Sequence, residues 1–395
     1  MTYRTLTTCR FCGARLRSVM HLGLSPIANN LCETQEEALA ASTHPLQLMA
    51  CQARDCGLYQ LSVTVPAEEL FPAGYTYSTP ENPELAAHYD EAVRWLQGLL
   101  GASRVCVEIG SNNGRFLKEM QEKVCLHCVG VEPSMVPTLP GITTKRAFFT
   151  EEAAQSLNLT GQVNLVVARH CLAHIDDVHE VLRGVKKLLA PDGIFYIENA
   201  YAVNTFAGGQ FDQIYHEHLS YFTLRALSWL LRLHNMRLLD VKLSSIHGGS
   251  LMVAAVREDA RRPASSSAVD QLLLFEDVFL EKLESDFLVK TQKSISSTHY
   301  SVNQELASVG RSVDAWGAAA KAVTRFGACK LTHKHIRQCY DDSQLKQGKF
   351  LPGSGIPIVP CPAELESAAV LLTAWNYERS FRARYASYEG TVLIP

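Results

Sequence analysis

The sequence predicts an α/β protein in three zones: a small cysteine-stapled N-terminal module, a central parallel-sheet domain and a smaller α/β unit at the C-terminus. Three observations carry that expectation. Two cysteine pairs sit in a turn-rich stretch, short apolar runs alternate with helical stretches through the middle, and the same alternation resumes after a polar interruption. At roughly 100 to 200 residues per domain, 395 residues leave room for these units, and 47% hydrophobic residues can fill their cores. The expected divisions are 1–70, 71–260 and 261–395.

In the first zone the apolar runs Leu46 to Met49 and Leu58 to Val65 read as strands around a core too small to stand without a staple. Cys9 and Cys12, in CRFC, and Cys51 and Cys56, in CQARDC, supply one. Zinc takes four soft ligands in a tetrahedron, and two short knuckles of paired thiolates can close a structural site. Gly13 and Gly57, each directly after its pair, suit the positive φ of such turns. The competing reading is buried free thiols. Cys125 and Cys128 share the spacing, but no second pair accompanies them, so they are expected in a core strand with the solitary Cys32, Cys106, Cys171, Cys329, Cys339 and Cys361.

In the second zone a helix is expected over Ala86 to Leu100, then a buried strand over Val105 to Ile109, a tight turn GSNNG from Gly110 to Gly114, and a helix from Arg115. A strand over Val129 to Val131 ends in Glu132, about twenty residues past the turn, where an acid accepts hydrogen bonds from ribose hydroxyls. This is a nucleoside site without the third glycine of a dinucleotide fingerprint, which disfavours a nicotinamide enzyme. Phe148 and Phe149 are candidates to stack on a base, and only one of two adjacent residues can face it if the segment is extended. A strand over Val163 to Ala168 places His174 just beyond its carboxyl end. After the strand GIFYIEN an insertion gathers Tyr215, His216, Glu217 and His218. So many titratable groups beside aromatics are costly to bury unpaired and read as a general base with a carboxylate to hold its ring. A solvated surface turn is the bland alternative, and a metal site is a third, set back because His216 and His218 of a strand share a face that Glu217 opposes.

In the third zone the run REDARRPASSSA, from Arg257 to Ala268, marks a boundary. A helix follows over Val269 to Leu288, with Leu272, Phe275, Phe279, Leu283 and Phe287 at helical spacing, and then SVDAWGAAAKAVTRFG and IRQCYDD read as strand, glycine turn, helix and strand. The balance of 37 basic against 40 acidic residues, net charge -3 and free of long Lys/Arg blocks, speaks against a nucleic-acid partner. The start lacks a signal-peptide apolar region and no run of about 18 apolar residues occurs, so a cytoplasmic protein without a membrane partner is expected, its thiols mostly reduced.

The turn E-x-G-S-x-x-G is similar to that with which class I methyltransferases hold S-adenosylmethionine. Across the whole chain, CRFC, SPIAN, CGLYQL, EIGSNNG, GVEP, ARHCLAHI, IENAYAVNTFAGGQFDQIYHEHLSYF, HGGSLMV and WGAAAKAVTRFG…YDDSQLKQGKFLPGSGIPIV resemble the three-domain sugar C-methyltransferases, which make 3-C-methyl deoxysugars of the mycarose and tetronitrose kind. That resemblance implies a structural zinc on the four cysteines, a Rossmann-like methyltransferase domain binding S-adenosylmethionine, and a C-terminal Rossmann-like domain that helps hold a dTDP-linked 4-keto-deoxysugar. His218 would be the base, with Tyr215, Glu217 and His174 around the sugar. Glu108, Gly110, Ser111, Asn112, Gly114, Glu132, Phe148, Phe149, Arg169 and His170 would form the donor site. Tyr75, Tyr77, Asn199 and Lys321 would meet the acceptor, in a monomer or weak dimer. The chain departs from the family pattern in the longer Cys51 to Cys56 spacing, in Asn113 and Ala173 where acids are usual, and in lacking a glycine after Lys321. Two other functions stay open at this stage: an O- or N-methyltransferase, and a zinc-knuckle scaffold with a degenerate methyltransferase domain.

Overall fold

A computed structural model describes residues 3–71, 79, 83–100, 103–308 and 312–395. The N-terminal zone is built on an antiparallel sheet in the order Ser220–Tyr221, Tyr59–Leu61, Thr43–Cys51, Leu16–Pro26. Along Thr43–Cys51 alternate side chains turn inward, so that His44, Leu46, Leu48 and Ala50 are buried. The outermost strand, Ser220–Tyr221, comes from the central zone, so the sheet is shared between zones.

The central sheet has seven strands in the order Met236–Ser244, Ser250–Arg257, Leu189–Ala200, Val163–Arg169, Ser103–Ile109, Cys125–Val131, Thr143–Lys145. The expected parallel sheet is interrupted by one strand, Ser250–Arg257, which runs antiparallel to both its neighbours. It follows Met236–Ser244 through a short connection, and a connection that short permits only an antiparallel return. Period-two alternation gives the sheet two apolar faces. Leu165 and Val167 pack with the helices Pro83–Leu100 and Arg115–Lys123, while Val166 and Ala168 pack with Val178–Leu188 and Leu224–Leu233. Cys106, Cys125 and Cys128 lie in the first of these cores, as expected of small apolar residues.

The C-terminal zone is a six-stranded sheet in the order Phe350–Leu351, Ile356–Val359, Cys339–Tyr340, Val313–Trp316, Ala369–Leu372, Thr391–Leu393, parallel apart from its first pair. The helix expected over Val269 to Leu288 runs on through Ser267–Ala307, 41 residues. Its apolar spacing misleads because Phe275 and Phe279 are exposed, whereas the buried positions include Glu276, Glu284, Thr291 and Thr298. A face buried in part through polar residues, Glu276 and Glu284 among them with partners, is invisible to a hydrophobic period. Among the described residues no helix is long and apolar enough to cross a membrane.

Candidate active site

The carboxyl ends of Ser103–Ile109 and Val163–Arg169 diverge where the strand order reverses, and such a switch point is where open α/β sheets bind ligands. A cavity of about 1130 Å3 opens there and extends between the three zones, walled by Asn29 and Phe71 on one side and by Lys321 and Asn376 on the other. Gly110 and Gly114 hold φ of 66° and 80°, and a Cβ on Gly110 would stand 2.8 Å from that of Cys171. The turn therefore needs both glycines. Glu132 accepts from the backbone N–H of Asn112 at 2.7 Å and of Ser134 at 2.8 Å, which fixes its carboxylate at the end of its strand with further lone pairs free. Ser111 packs into the notch left by Gly130, whose Cβ would meet Ser111 Oγ at 2.3 Å. Asn112 receives Thr79 N–H on its side chain.

Charge is concentrated beneath this turn. Arg169 is clamped between the rings of Tyr89 and Phe116, 4.3 Å from each, and donates to Glu198 at 3.0 Å. Burial works against the Glu198 carboxylate, yet Arg169, His170 and His88 around it hold it well below the usual range. Glu108 faces the cavity with one oxygen unpartnered, and burial pushes its carboxyl up to about 8. A buried carboxyl with one oxygen free of partners and a strand-end carboxylate beside a glycine turn fit a nucleoside that carries a cationic tail. His170 lies at the same wall with φ of 49°. Phe149 is buried against Gly184, and Phe148, 48% exposed, sits at the rim.

The Tyr-His-Glu-His segment is a turn closed by His218 N–H to Tyr215 O at 2.9 Å, not a strand, and it sends its side chains in different directions. His216 turns to the N-terminal sheet, where its Nε2 meets Pro45 O at 3.2 Å. Glu217 turns the same way and accepts from Asn29 N–H and Nδ2 at 2.8 and 2.9 Å, with burial raising its pKa. The expected pairing of Glu217 with His218 is therefore not made through its carboxylate; the turn spends that carboxylate on holding the N-terminal zone. His218 alone of the three enters the cavity. Its Nδ1 is 3.0 Å from Gln213 O and its Nε2 is 2.8 Å from Tyr215 Oη. A carbonyl can only accept, so Nδ1 carries the proton and Nε2 offers its lone pair to the tyrosine hydroxyl. Burial holds His218 well below its ordinary pKa and His174 adds to this, so the ring is neutral. His174 lies 5.0 Å from it, ring to ring, and donates Nδ1–H to Glu217 O at 2.5 Å.

Two expected acceptor residues reach the same cavity. Asn199 is 1% exposed with neither amide atom partnered. Lys321 lies 4.2 Å above the Trp375 ring and donates to Asn376, and burial lowers its pKa to about 8. Tyr75 and Tyr77 lie outside the described residues. Sequence reasoning missed Gln213, whose backbone oxygen sets the histidine tautomer and so leaves no signal in residue type, and it missed Asn29, which lies in the SPIAN run but far from its partner along the chain.

The four thiols of Cys9, Cys12, Cys51 and Cys56 come together with all sulfurs within 4.8 Å of one another. Sulfur separations of 3.7 Å for Cys9 to Cys56 and 3.4 Å for Cys12 to Cys51 approach the edge of about 3.8 Å in a tetrahedron with zinc-like bond lengths. Phe11 N–H and Ala53 N–H donate to Cys9 and Cys51, and Gly13 and Gly57 take the positive φ anticipated for them. The longer second knuckle does not spoil the ligand geometry. Among the described residues this is the one group of three or more potential ligands so gathered.

Known proteins resemble this chain over most of its length. Residues 9–71 match a zinc binding domain family, 84–241 the family described as Methyltransferase domain, and 245–394 the C-methyltransferase C-terminal domain. The chain is 34% identical over 390 residues to the C-methyltransferase NovU of Streptomyces niveus, a match covering 95% of this chain and 91% of that protein. Among solved structures, a 1,6-didemethyltoxoflavin-N1-methyltransferase of Burkholderia thailandensis with bound S-adenosylhomocysteine matches 47% of this chain and 95% of its own at 18% identity and a TM-score of 0.33. An S-adenosylmethionine-dependent methyltransferase of Archaeoglobus fulgidus matches 50% and 86% at 15% identity and a TM-score of 0.35. Both are loose likenesses of part of the chain.

Proposed function

We propose, from the premise that this chain belongs to the S-adenosylmethionine-dependent C-methyltransferase family, that it methylates C3 of a dTDP-linked 4-keto-6-deoxysugar and that His218 takes the C3 proton. The methyl donor and the structural zinc come with the family; the sugar and the base are our reading. The observation that carries it is the His218 ring in the cavity, with Nδ1–H spent on Gln213 O and Nε2 turned to Tyr215 Oη.

Carbon is a poor nucleophile until a neighbouring ketone lets it lose a proton as an enolate. The C3–H pair then moves into the C3–C4 bond, negative charge builds on the C4 oxygen, and the proton passes to Nε2, directly or by way of the Tyr215 hydroxyl already bonded there. Asn199 supports the same reading, since its unpartnered amide N–H can donate to the developing oxyanion from a buried place on the cavity wall. Glu132 would hold the donor's ribose, and Glu108 and Arg169 would set the charge around its amino-acid end. When bound, the donor supplies an electrophilic methyl group on a sulfonium sulfur. Lys321 and Asn376, which line the far wall, would meet the nucleotide part of the acceptor.

The test is proton exchange in deuterated water on dTDP-4-keto-6-deoxysugars, read by mass spectrometry of the recovered sugar and product. The wild-type protein should wash out the C3 hydrogen and add one methyl at that carbon, and His218→Asn should slow both by about a hundred- to ten-thousandfold while S-adenosylmethionine binding holds. Methylation of a hydroxyl or amine with no C3 exchange would replace the carbon acceptor by an oxygen or nitrogen one. Near-normal exchange in His218→Asn would move the base to Tyr215 or His174.

A further inference from the structure

The backbone just before the histidine turn is held from the C-terminal zone. Asp212 is fully buried, and one of its oxygens, Oδ2, accepts from Arg325 Nε at 3.0 Å, Arg325 Nη2 at 2.8 Å and Trp375 Nε1 at 2.9 Å. Thr324, the neighbour of Arg325, donates its hydroxyl to Ile214 O at 2.9 Å. Arg325 is itself pinned, with its guanidinium 4.6 Å from the Phe211 ring and its Nη1 donating to Ser294 on the long helix at 3.1 Å. Residues 212 and 214 are thus both anchored by consecutive residues of one helix, Ala320–Ala328, and the residue between them is Gln213.

Gln213 is the residue whose carbonyl receives His218 Nδ1–H, and its side chain is tied in turn to His247 O at 3.0 Å. We infer that Asp212, Arg325 and Thr324 are positioning residues for methyl transfer: by clamping the backbone on either side of Gln213 they aim its carbonyl at His218 and so fix the tautomer and ring direction of the base. The inference rests on His218 being that base. A buried ion pair contributes little net stability for the desolvation it costs, so its presence here asks for a reason in geometry, and a carbonyl that must hold one direction supplies it. A slightly misdirected base loses rate steeply, because proton transfer demands a short, aligned contact. The clamp also backs the cavity wall, through a side chain that touches Lys321. Trp375, bonded to Asp212, is the ring over which Lys321 lies, so the acceptor-facing wall and the base are braced by the same side chain.

Three variants test this: Asp212→Asn, which weakens the pair while keeping its shape; Thr324→Val, which deletes one hydroxyl from the clamp; and His218→Asn as the reference. Each is measured for melting temperature, S-adenosylmethionine affinity, KM for the keto-sugar, kcat and C3 exchange. The inference expects Asp212→Asn to lower kcat and C3 exchange together by about ten- to a hundredfold, and Thr324→Val by about three- to tenfold, with KM and donor affinity within about twofold of wild type. A merely structural role would lower the melting temperature and leave kcat and exchange of the folded fraction unchanged, and that outcome in Thr324→Val overturns the inference even if Asp212→Asn fails to fold. If His218→Asn abolishes exchange while both clamp variants turn over normally, the clamp is wrong and the base stands. If His218→Asn exchanges normally, the base itself is wrong and the clamp falls with it.

Discussion

Glu132, at the end of the strand Cys125–Val131, has a backbone donor on each of its carboxylate oxygens. Because it accepts from both Asn112 N–H and Ser134 N–H, it braces the glycine turn, in addition to the hold on the donor's ribose proposed for it. Glu132→Ala is therefore expected to lower the melting temperature along with the affinity for S-adenosylmethionine, since two backbone donors in a nearly buried place lose their acceptor at about 1–3 kcal/mol each. Calorimetry showing unchanged affinity would put the donor elsewhere. His216 gives the second prediction at this scale. Burial takes its pKa from 6.5 to about 4, so below pH 6.5 the unfolded ring binds a proton that the folded ring refuses. Stability then falls as pH falls, by about 1.4 kcal/mol per pH unit from 6.5 down to about 4, and levels off below that. Urea unfolding of wild type and His216→Gln across this range should show the shallower slope in the variant; parallel slopes would mean the ring titrates alike in both states. The residue types at the histidine turn could be read from sequence, but their directions could not, because a turn has no period to assign faces. Reading it as a strand would have put His216 and His218 together.

At the scale of elements, the glycine turn and the strands around it were readable because a buried strand, a turn needing positive φ and an amphipathic helix each leave a pattern in residue type. The long helix Ser267–Ala307 was only half readable. Its buried side is marked by polar residues with specific partners: Glu276 accepts from Leu224 N–H at 2.6 Å, Arg225 N–H at 2.9 Å and Tyr201 Oη at 2.8 Å, and Glu284 takes Arg17 and Tyr59. Glu276 stands at the amino end of the helix Leu224–Leu233, where a carboxylate satisfies free N–H groups and meets the positive end of the dipole. Glu276→Ala should cost on the order of 2–4 kcal/mol, seen as a lower urea midpoint, because three buried donors lose one acceptor. A midpoint within error of wild type would show that Thr223, the side-chain cap already present, suffices.

Across the whole molecule, the zinc site lies far from the chemistry in sequence, yet its sheet is completed by Ser220–Tyr221, just past His218, and Asn29 from the same zone holds Glu217. Stripping the metal should therefore impair turnover more than donor binding, since structural zinc binding is folding free energy for the module it closes. Metal analysis should find about one zinc per chain, and Cys12→Ser or chelation should reduce turnover by a larger factor than it weakens S-adenosylmethionine binding. A metal-free chain with full turnover would detach the module from the site.

The turn from Phe211 to Phe222 is thus stitched on one side to the N-terminal sheet and on the other to the helix Ala320–Ala328. This limits how such enzymes can be shuffled. A crossover in the polar run from Arg257 to Ala268, inviting because it looks like a linker, would hand Asp212 from one parent an Arg325 or Trp375 from another. Hybrids that keep Asn29, residues 211–222, Thr324, Arg325 and Trp375 from a single parent should stay active, whatever parent supplies the rest of the C-terminal sheet. What is inherited together is a set of contacts, not a domain.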